Sequence, residues 1–356
     1  MVQEETALAW EPTAGCHLNR TGAEIGTDIP GEGESSGLSV SSFAFAAAAA
    51  HDSSESLGLA AADSGLFFSR DSCRSWQRAP GPIGALPMLT VCLAPFSSAG
   101  PRALLGTTGG IAYSHDLNEW RLARLPQDGI DSISMVASPN FAEDGTLFAG
   151  TLDYGILHSL DRGSSWQARH FGLLDMRVFT TAISPLFAQD QTVLAGTPTG
   201  IFFSPNGGLA WREAAVPDED DAVLSIAFAP DYQVDGLIAA GTEAGMLLKS
   251  LDGGHTWQYM ETPCAGKSIN ALSFLPQRDS DPLLLLGAAD RIYVSTGGSS
   301  RWHAWEAGQT VLTLASYADG AQRPFVLAGL KENGILRGQP EGASRSQQAP
   351  ESNRKD

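Results

Sequence analysis

"SLDRGSSW" (residues 159–166) returns as "SLDGGHTW" (250–257), ninety-one residues further along the chain. Each octet ends in a tryptophan, and the tryptophans continue beyond these two. Trp76, Trp120, Trp166, Trp211, Trp257 and Trp302 are spaced by 44, 46, 45, 46 and 45 residues. A marker recurring at a fixed period of this size points to a repeat architecture. Ahead of each tryptophan the same order of segments recurs. In one copy, "LSIAFAP" (224–230) leads through a polar turn to "LIAAGT" (237–242), then to "GMLLKS" (245–250) and the octet. Sister copies read "TTAISP…TVLAGT…GIFFSPNGGLAW" and "SMVASP…TLFAGT…GILHSLDRGSSW".

Each segment is a short run of β-formers bounded by Gly, Asp, Asn or Pro, as in an antiparallel meander. Helical repeats of similar length need ten-residue stretches with 3.6-residue periodicity, and none occurs. Four strands every 45 residues describe a propeller blade. Six units carry their own tryptophan. A seventh runs through "VLTLASYADG" (311–320), "FVLAGL" (325–330) and "GILRG" (334–338), then stops short of its fourth strand, with Arg345 where the tryptophan belongs. The missing strand is legible at the other end of the chain, where "LAWEPTA" (8–14) matches "LAWREAA" (209–215) and Trp10 stands in the place of Trp211.

The expected fold is therefore all-β: a seven-bladed β-propeller of four-stranded antiparallel blades, closed by an N-terminal strand that completes the last blade. The propeller spans 1–338, with a closing strand at 6–12 and a linker or insertion at 13–37. Blades are expected near 38–79, 86–124, 130–169, 178–215, 222–260, 268–305 and 311–338, followed by a disordered polar tail at 339–356. Closure of the ring removes the exposed sheet edges that a linear array would leave.

Composition narrows the function. Asp and Glu (40) outnumber Lys and Arg (22), for a net charge of −18 over 356 residues. Such a surface repels phosphate backbones, which excludes nucleic acid as the expected partner and favours a basic protein face. Cys16, Cys73, Cys92 and Cys264 stand far apart without a CxxC pair, so no disulfide framework or metal is expected. The seven histidines show no HxxxH or HxH spacing, which gives zinc no support. "MVQEETALAW" lacks the basic and apolar runs of a secretory signal, and "FAFAAAAA" (43–50) is too short to span a bilayer. The expectation is a cytoplasmic protein without a membrane span or a cofactor; the oligomeric state is left open.

The pattern S-x-D-x-G-x-x-W resembles the Asp box, or BNR repeat, of sialidases, sortilin-type receptors, xyloglucanase-like propellers and photosystem II assembly propellers. It is complete at Ser159, Asp161, Gly163, Trp166 and at Ser250, Asp252, Gly254, Trp257. "SRDSCRSW" loses the Gly, "SPNGGLAW" has Asn for Asp, "STGGSSRW" loses the Asp, and "SHDLNEW" is one residue short. The resemblance implies a box between the third and fourth strands, on the face away from any ligand. Its chemistry is that of a staple: Asp accepts backbone N–H groups, Gly supplies a positive φ, and Trp fills the space between blades. A fold of this kind does not specify an activity.

In such a ring the working face is built by turns joining strands two and three and by connections into the next blade. These turns are "ADSG" (62–65), "TTGG" (107–110), "TLDYG" (151–155), "TPTG" (197–200), "TEAG" (242–245), "AADR" (288–291) and "LKENG" (330–334). Candidate ligand-binding residues in the turns are Asp63, Asp153, Tyr154, Glu243, Asp290, Arg291 and Lys331, with Asp63, Asp153 and Glu243 read as one homologous position of blades one, three and five. The connections add Asp131, His170 and Arg177. Asp175 with Arg177 reads equally as a plain ion pair. Asp218, Glu219, Asp220 and Asp221 read as a solvated run, because four adjacent carboxylates cannot converge on one ion.

Two functions fit. The first is a non-catalytic binding or scaffold propeller that engages a protein partner or small ligand through its loop face. The second is a glycoside hydrolase or lyase using Asp63, Asp153 and Glu243 at the channel mouth, where an inverting pair needs carboxylates about 6.5–9.5 Å apart. Sialidase chemistry has little support, since "GPIGALP" (81–87) carries no Arg where the resemblance implies one. Xyloglucanase-like enzymes pair two propellers around a cleft, whereas one is legible here.

Overall fold

The computed structural model describes residues 8–12, 38–46, 56–80, 86–97, 100–217, 221–277, 281–296, 301–318, 323–332 and 334–340. The linker 13–37, Cys16, the run 218–220 and residues 341–356 lie outside the described residues. Among those described run strands β1 to β28 and three single-turn helices, α1 (Phe141–Asp144), α2 (Phe187–Asp190) and α3 (Tyr232–Asp235). The strands form seven four-stranded antiparallel sheets. Their innermost strands are β2 (Val40–Ala46), β6 (Met88–Ser97), β10 (Ser132–Ala137), β14 (Thr180–Ile183), β18 (Val223–Phe228), β22 (Ile269–Leu275) and β26 (Val311–Ala318). Each packs on the next, and β26 packs on β2, so the chain is a closed seven-bladed β-propeller.

Six blades are consecutive meanders. The seventh has the order β1 (Leu8–Pro12), β28 (Ile335–Pro340), β27 (Pro324–Leu330), β26. Its register is that of an ordinary blade. Glu11 pairs with Arg337 and Pro12 with Leu336, as Arg212 pairs with Phe203 and Glu213 with Phe202 in the fourth blade. Trp10 lies level with Gly338. The likeness of "LAWEP" to "LAWRE" thus extends to strand register, and β28 runs to Pro340.

The second strand of each blade explains the apolar runs. Leu147–Thr151, Val193–Thr197 and Ile238–Thr242 are buried throughout, because neighbouring blades cover both faces of each sheet. A strand buried on both faces loses the in–out alternation of a half-solvated one. The glycine in "AGT" sets the spacing between blades. A Cβ on Gly196 would lie 2.7 Å from Val223 O, and one on Gly329 would lie 2.7 Å from Val40 O. Gly150, Gly241 and Gly287 press equally against Val178, Ile269 and Val311 of the following blade. Only a residue without Cβ permits that approach. The first blade has Ala61 at this level, fully buried.

Ring closure uses the same apolar packing. Val40, Phe43 and Trp76 of the first blade form one buried cluster with Phe325, Leu327 and Ile335 of the seventh. Arg337, itself buried, lies 4.6 Å over the Phe325 ring and donates from Nε to Ser72 O at 3.1 Å. A stacked, hydrogen-bonded guanidinium thus ties the last blade to the first.

The octets fold into one hydrogen-bonded turn. Ser159 Oγ donates to Asp161 Oδ1 (2.9 Å) and accepts from Gly163 N (2.8 Å); Asp161 accepts from Ser165 N and Oγ, and Trp166 Nε1 donates to Gly163 O (3.1 Å). The set repeats at Ser250, Asp252, Gly254, Thr256 and Trp257. Burial raises the Asp161 and Asp252 pKa values, but these hydrogen bonds outweigh it and hold both below the usual range. Three of the degraded copies keep the geometry, and the fourth, 295–302, falls partly outside the described residues. Cys73 and Leu117 occupy the glycine position with φ of 63° and 65°, and Asn206 accepts from Ala210 N as Asp161 does from Ser165 N. Gly58 leaves the space that the Cys73 sulfur fills.

Replacing Gly196 with Val forces blades four and five apart and is expected to cost about 1–3 kcal/mol or more in chemical denaturation. Gly110→Ala, whose new methyl meets nothing within 4 Å, is the matched control and is expected to stay within about 0.5 kcal/mol of wild type.

His158 supplies a second expectation. It stacks on Phe148 at 4.5 Å, and burial, with Arg169 nearby, lowers its pKa from 6.5 to about 4. The folded state takes up this proton later than the unfolded chain, so stability falls as pH drops from about 6.5 towards 4. His158→Phe is expected to flatten that part of a Tm-against-pH profile and leave the loss below pH 4, where the octet aspartates protonate.

Candidate functional site

Register sorts the loops onto two faces. The octet turns share one face with α1, α2 and α3: Arg162 N donates to Gly145 O (3.1 Å) and Arg162 Nη2 to Ala142 O (2.7 Å). The turns joining second and third strands, together with the connections into the next blade, lie on the other.

On this loop face the backbone interlocks. The first residue of four turns donates to the carbonyl just ahead of its own blade's innermost strand. The pairs are Asp63 N to Ser39 O (3.0 Å), Leu152 N to Asp131 O (3.1 Å), Glu243 N to Ala222 O (2.8 Å) and Lys331 N to Thr310 O (2.9 Å). These bonds place Leu152, not Asp153, level with Asp63 and Glu243. The third and fifth blades each close over three residues, 152–154 and 243–245, where the first closes over two, and Asp153 is the second residue of its turn, level with Ala244. Contacts with the following blade add to the lock: Gly155 N to Met176 O (2.8 Å), Val311 N to Ala289 O (2.8 Å), and Gly334 N to Leu38 O (3.1 Å). Ser39 Oγ donates to Lys331 O.

Three carboxylates hold this lattice: the candidates Asp131 and Asp63, and Asp221, which the sequence placed in a solvated run. Asp131 Oδ1 accepts from Gly109 N (2.6 Å), Asp63 Oδ1 from Ser39 N (3.2 Å), and Asp221 Oδ1 from Ala244 N (3.2 Å). An Asp accepting main-chain N–H groups fixes a turn whatever else it does. Asp63, Asp153 and Glu243 sit on blades one, three and five, each separated from the next by a whole blade. Asp290 and Lys331 stand on blades six and seven, and Arg291 pairs with Glu306 (3.4 Å) beside Asp290. Among the described residues, no three His, Cys, Asp or Glu side chains gather as a metal site would require.

The structure does bring one group together. Tyr154 meets His170 edge-on at 6.0 Å, and the tip of that turn, Gly155, lies against both His170 and Met176. Asp175 accepts from Arg177 N (2.9 Å) and pairs with its guanidinium (3.3 Å). Segment 169–178 is thereby shaped into a defined loop. Leu173 and Val178 are buried anchors, and Trp211 N donates to Phe171 O (2.8 Å). Gly172 takes a φ of 86° where a Cβ would strike Trp211 O. From this frame Phe171 is 78% and Leu174 77% exposed, and Met176 and Leu152 are partly so. Polar spacing rules single out His170 and Arg177 but pass over these apolar residues. The visible signal is "HFGLLDMR" (170–177), an apolar run in a connection where solvated residues are expected.

No family model matches the chain. Solved structures do. YCF48 from Cyanidioschyzon merolae aligns at 15% identity and a TM-score of 0.60, over 85% of this chain and 96% of its own. The GH74 xyloglucanase from Xanthomonas campestris aligns at 14% identity and 0.67, over 94% of this chain and 54% of its own. A domain described as the extracellular part of a two component system, BT4673 from B. thetaiotaomicron, aligns at 16% and 0.62 over 86% of this chain. This chain spans 38% of that domain's length, and about half of the xyloglucanase. At these identities the likeness is one of fold.

The Asp175 carboxylate is only 12% exposed and fixes the bend before Val178. Asp175→Ala is expected to speed amide hydrogen exchange at Arg177 and its neighbours while the global Tm moves by no more than about 2–4 °C.

Proposed function

We propose that the chain is a non-catalytic binding propeller of the Asp-box type that engages a protein partner through its loop face. The observation that carries this reading is the use of Asp63, Asp131 and Asp221 as acceptors for main-chain amides. Carboxylates that fix turns make a pre-organised surface, which favours binding by lowering the ordering cost. The complete octets at 159–166 and 250–257 support the Asp-box assignment, as does the survival of their turn geometry in degraded copies. YCF48, over nearly all of whose length this chain aligns, has been solved bound to a D1 peptide. That complex supports a peptide or protein ligand for a single propeller of this size. The acidic balance favours a partner with a basic surface, and the buried free thiols Cys73, Cys92 and Cys264 support a reducing, cytoplasmic setting. A hydrolase built on Asp63, Asp153 and Glu243 requires convergence of groups that stand on alternate blades.

Affinity capture from the native host tests the reading. A reproducible partner is expected with wild type and with an octet-face variant such as Arg74→Glu, and its loss with Asp63→Arg combined with Glu243→Arg. Capture indifferent to the loop-face changes overturns the proposal. So does turnover on a glycoside panel that Asp153→Asn abolishes.

A further inference from the structure

We infer that the loop-face mouth of the central channel is an anchor site for one aromatic side chain bearing a hydrogen-bond donor, presented by the partner protein. The inference rests on the loop-face reading and deepens it, naming the place and the ligand chemistry. The innermost strands pack in turn around the ring and so enclose the channel. On six of them the pairing with the second strand skips one residue: Ser41, Leu89, Ile133, Leu224, Asn270 and Leu312. Phe179 holds the same place in the fourth blade, because Val178 before it lies against Gly150 as Val223 lies against Gly196. A bulge of this kind re-aims a side chain relative to the rest of its strand.

Burial and hydrogen bonds show where these positions point. The residue ahead of each is at most 2% exposed, whereas all seven are open to solvent at least in part. Ser41 Oγ donates to Ala61 O and Met88 O (both 3.2 Å), and Asn270 Nδ2 donates to Val311 O (3.0 Å). Each thus reaches the next blade at the residue immediately before that blade's own bulge. Side chains at this level therefore run from blade to blade around the channel. The level is that of the loop face, since the carbonyls two residues ahead, on Ser39, Asp131, Ala222 and Thr310, hold the loop-face turns. Leu89, Ile133, Phe179 and Leu224 stand on four consecutive blades and form one apolar arc. Ser41 and Asn270, with Leu312 between them, close the circle opposite it.

This lining selects the occupant. None of the seven residues is charged, and the rim carboxylates Asp63, Asp131 and Asp221 are turned to main-chain amides. An ammonium entering the mouth would lose water without gaining a counter-ion. Four adjacent apolar side chains suit a flat ring, and Phe179 offers its own for an offset or edge-on contact. Both polar residues direct their donors at main-chain carbonyls, so Ser41 Oγ and Asn270 Oδ1 present acceptors. An indole or a phenol fits both halves, having an apolar ring with one N–H or O–H at its edge. Such side chains, rigid and large, concentrate affinity at protein interfaces.

Fluorine NMR with the full chain tests the site, using the amides of N-acetyl-fluorotryptophan and N-acetyl-fluorophenylalanine as probes. Saturable binding of the tryptophan probe is expected, about three- to tenfold tighter than that of the phenylalanine probe, which lacks the donor. Asn270→Leu should remove that preference while the phenylalanine probe binds at least as well as before. Phe179→Ser with Leu224→Ser should weaken both probes by about tenfold or more. Ser41→Phe, which adds a ring to the mouth and takes nothing from the buried core, should abolish both. Phe171→Ser, at an exposed position (78%) on the same face, should change nothing. No saturable binding, equal binding of the two probes, or indifference to Ser41→Phe overturns the inference. Partner capture separates this failure from that of the wider reading. Capture that survives Ser41→Phe but is lost with Asp63→Arg and Glu243→Arg means that the loop face binds without using the mouth. Capture indifferent to every loop-face change defeats both readings.

Discussion

The spacing between neighbouring blades is the constraint on which the rest of the molecule depends. Each sheet lies between two others, so the second strand of one blade must lie against the innermost strand of the next at backbone distance. Glycine at that level makes the approach possible, as the positions of Gly196 against Val223 O and Gly329 against Val40 O show. Once the sheets are that close, apolar side chains from adjacent blades interdigitate. Leu194, Ile201 and Phe203 of the fourth blade pack with Ile226, Ile238 and Trp257 of the fifth. The tryptophans recur because each fills the same gap in the next sector.

Much of this was legible because it is periodic. The tryptophan spacing defined the blades, and the closing strand followed from "LAWEP" alone, since strand register in the last blade repeats that of the fourth. Degraded octets were harder to judge from letters. Cys73 and Leu117 look like lost motifs, yet the backbone keeps its left-handed turn at both, because Ser69 and Ser114 still gather the turn's amides. The fold there is carried by hydrogen bonds that the residue in the glycine position does not make.

The candidate site was less legible because it lies where the repeat is broken. Asp63, Asp153 and Glu243 read as one homologous position, but Asp153 stands second in its turn and Leu152 holds the first place. Asp131 reads as a ligand and acts as an acceptor for Gly109 N. Phe171 and Leu174 passed unnoticed because an apolar residue in a connection usually turns inward, as Leu173 and Val178 do. Which members of such a run face solvent depends on where Gly172 and Asp175 bend the chain. Two faces of opposite character result: one fixed by repeated octets and helical turns, the other varying from sector to sector.

The borrowed strand in the seventh sheet has a consequence for biosynthesis. Of the ring's strands Leu8–Pro12 leaves the ribosome first, yet the edge it must cover, Ile335–Pro340, is made after all the others in the ring. Throughout translation the nascent sectors can stack in order while the leading segment waits without its neighbour. Completion of the wheel is therefore a single late event, and a truncated product ending anywhere before residue 335 carries an unsealed margin at both of its ends.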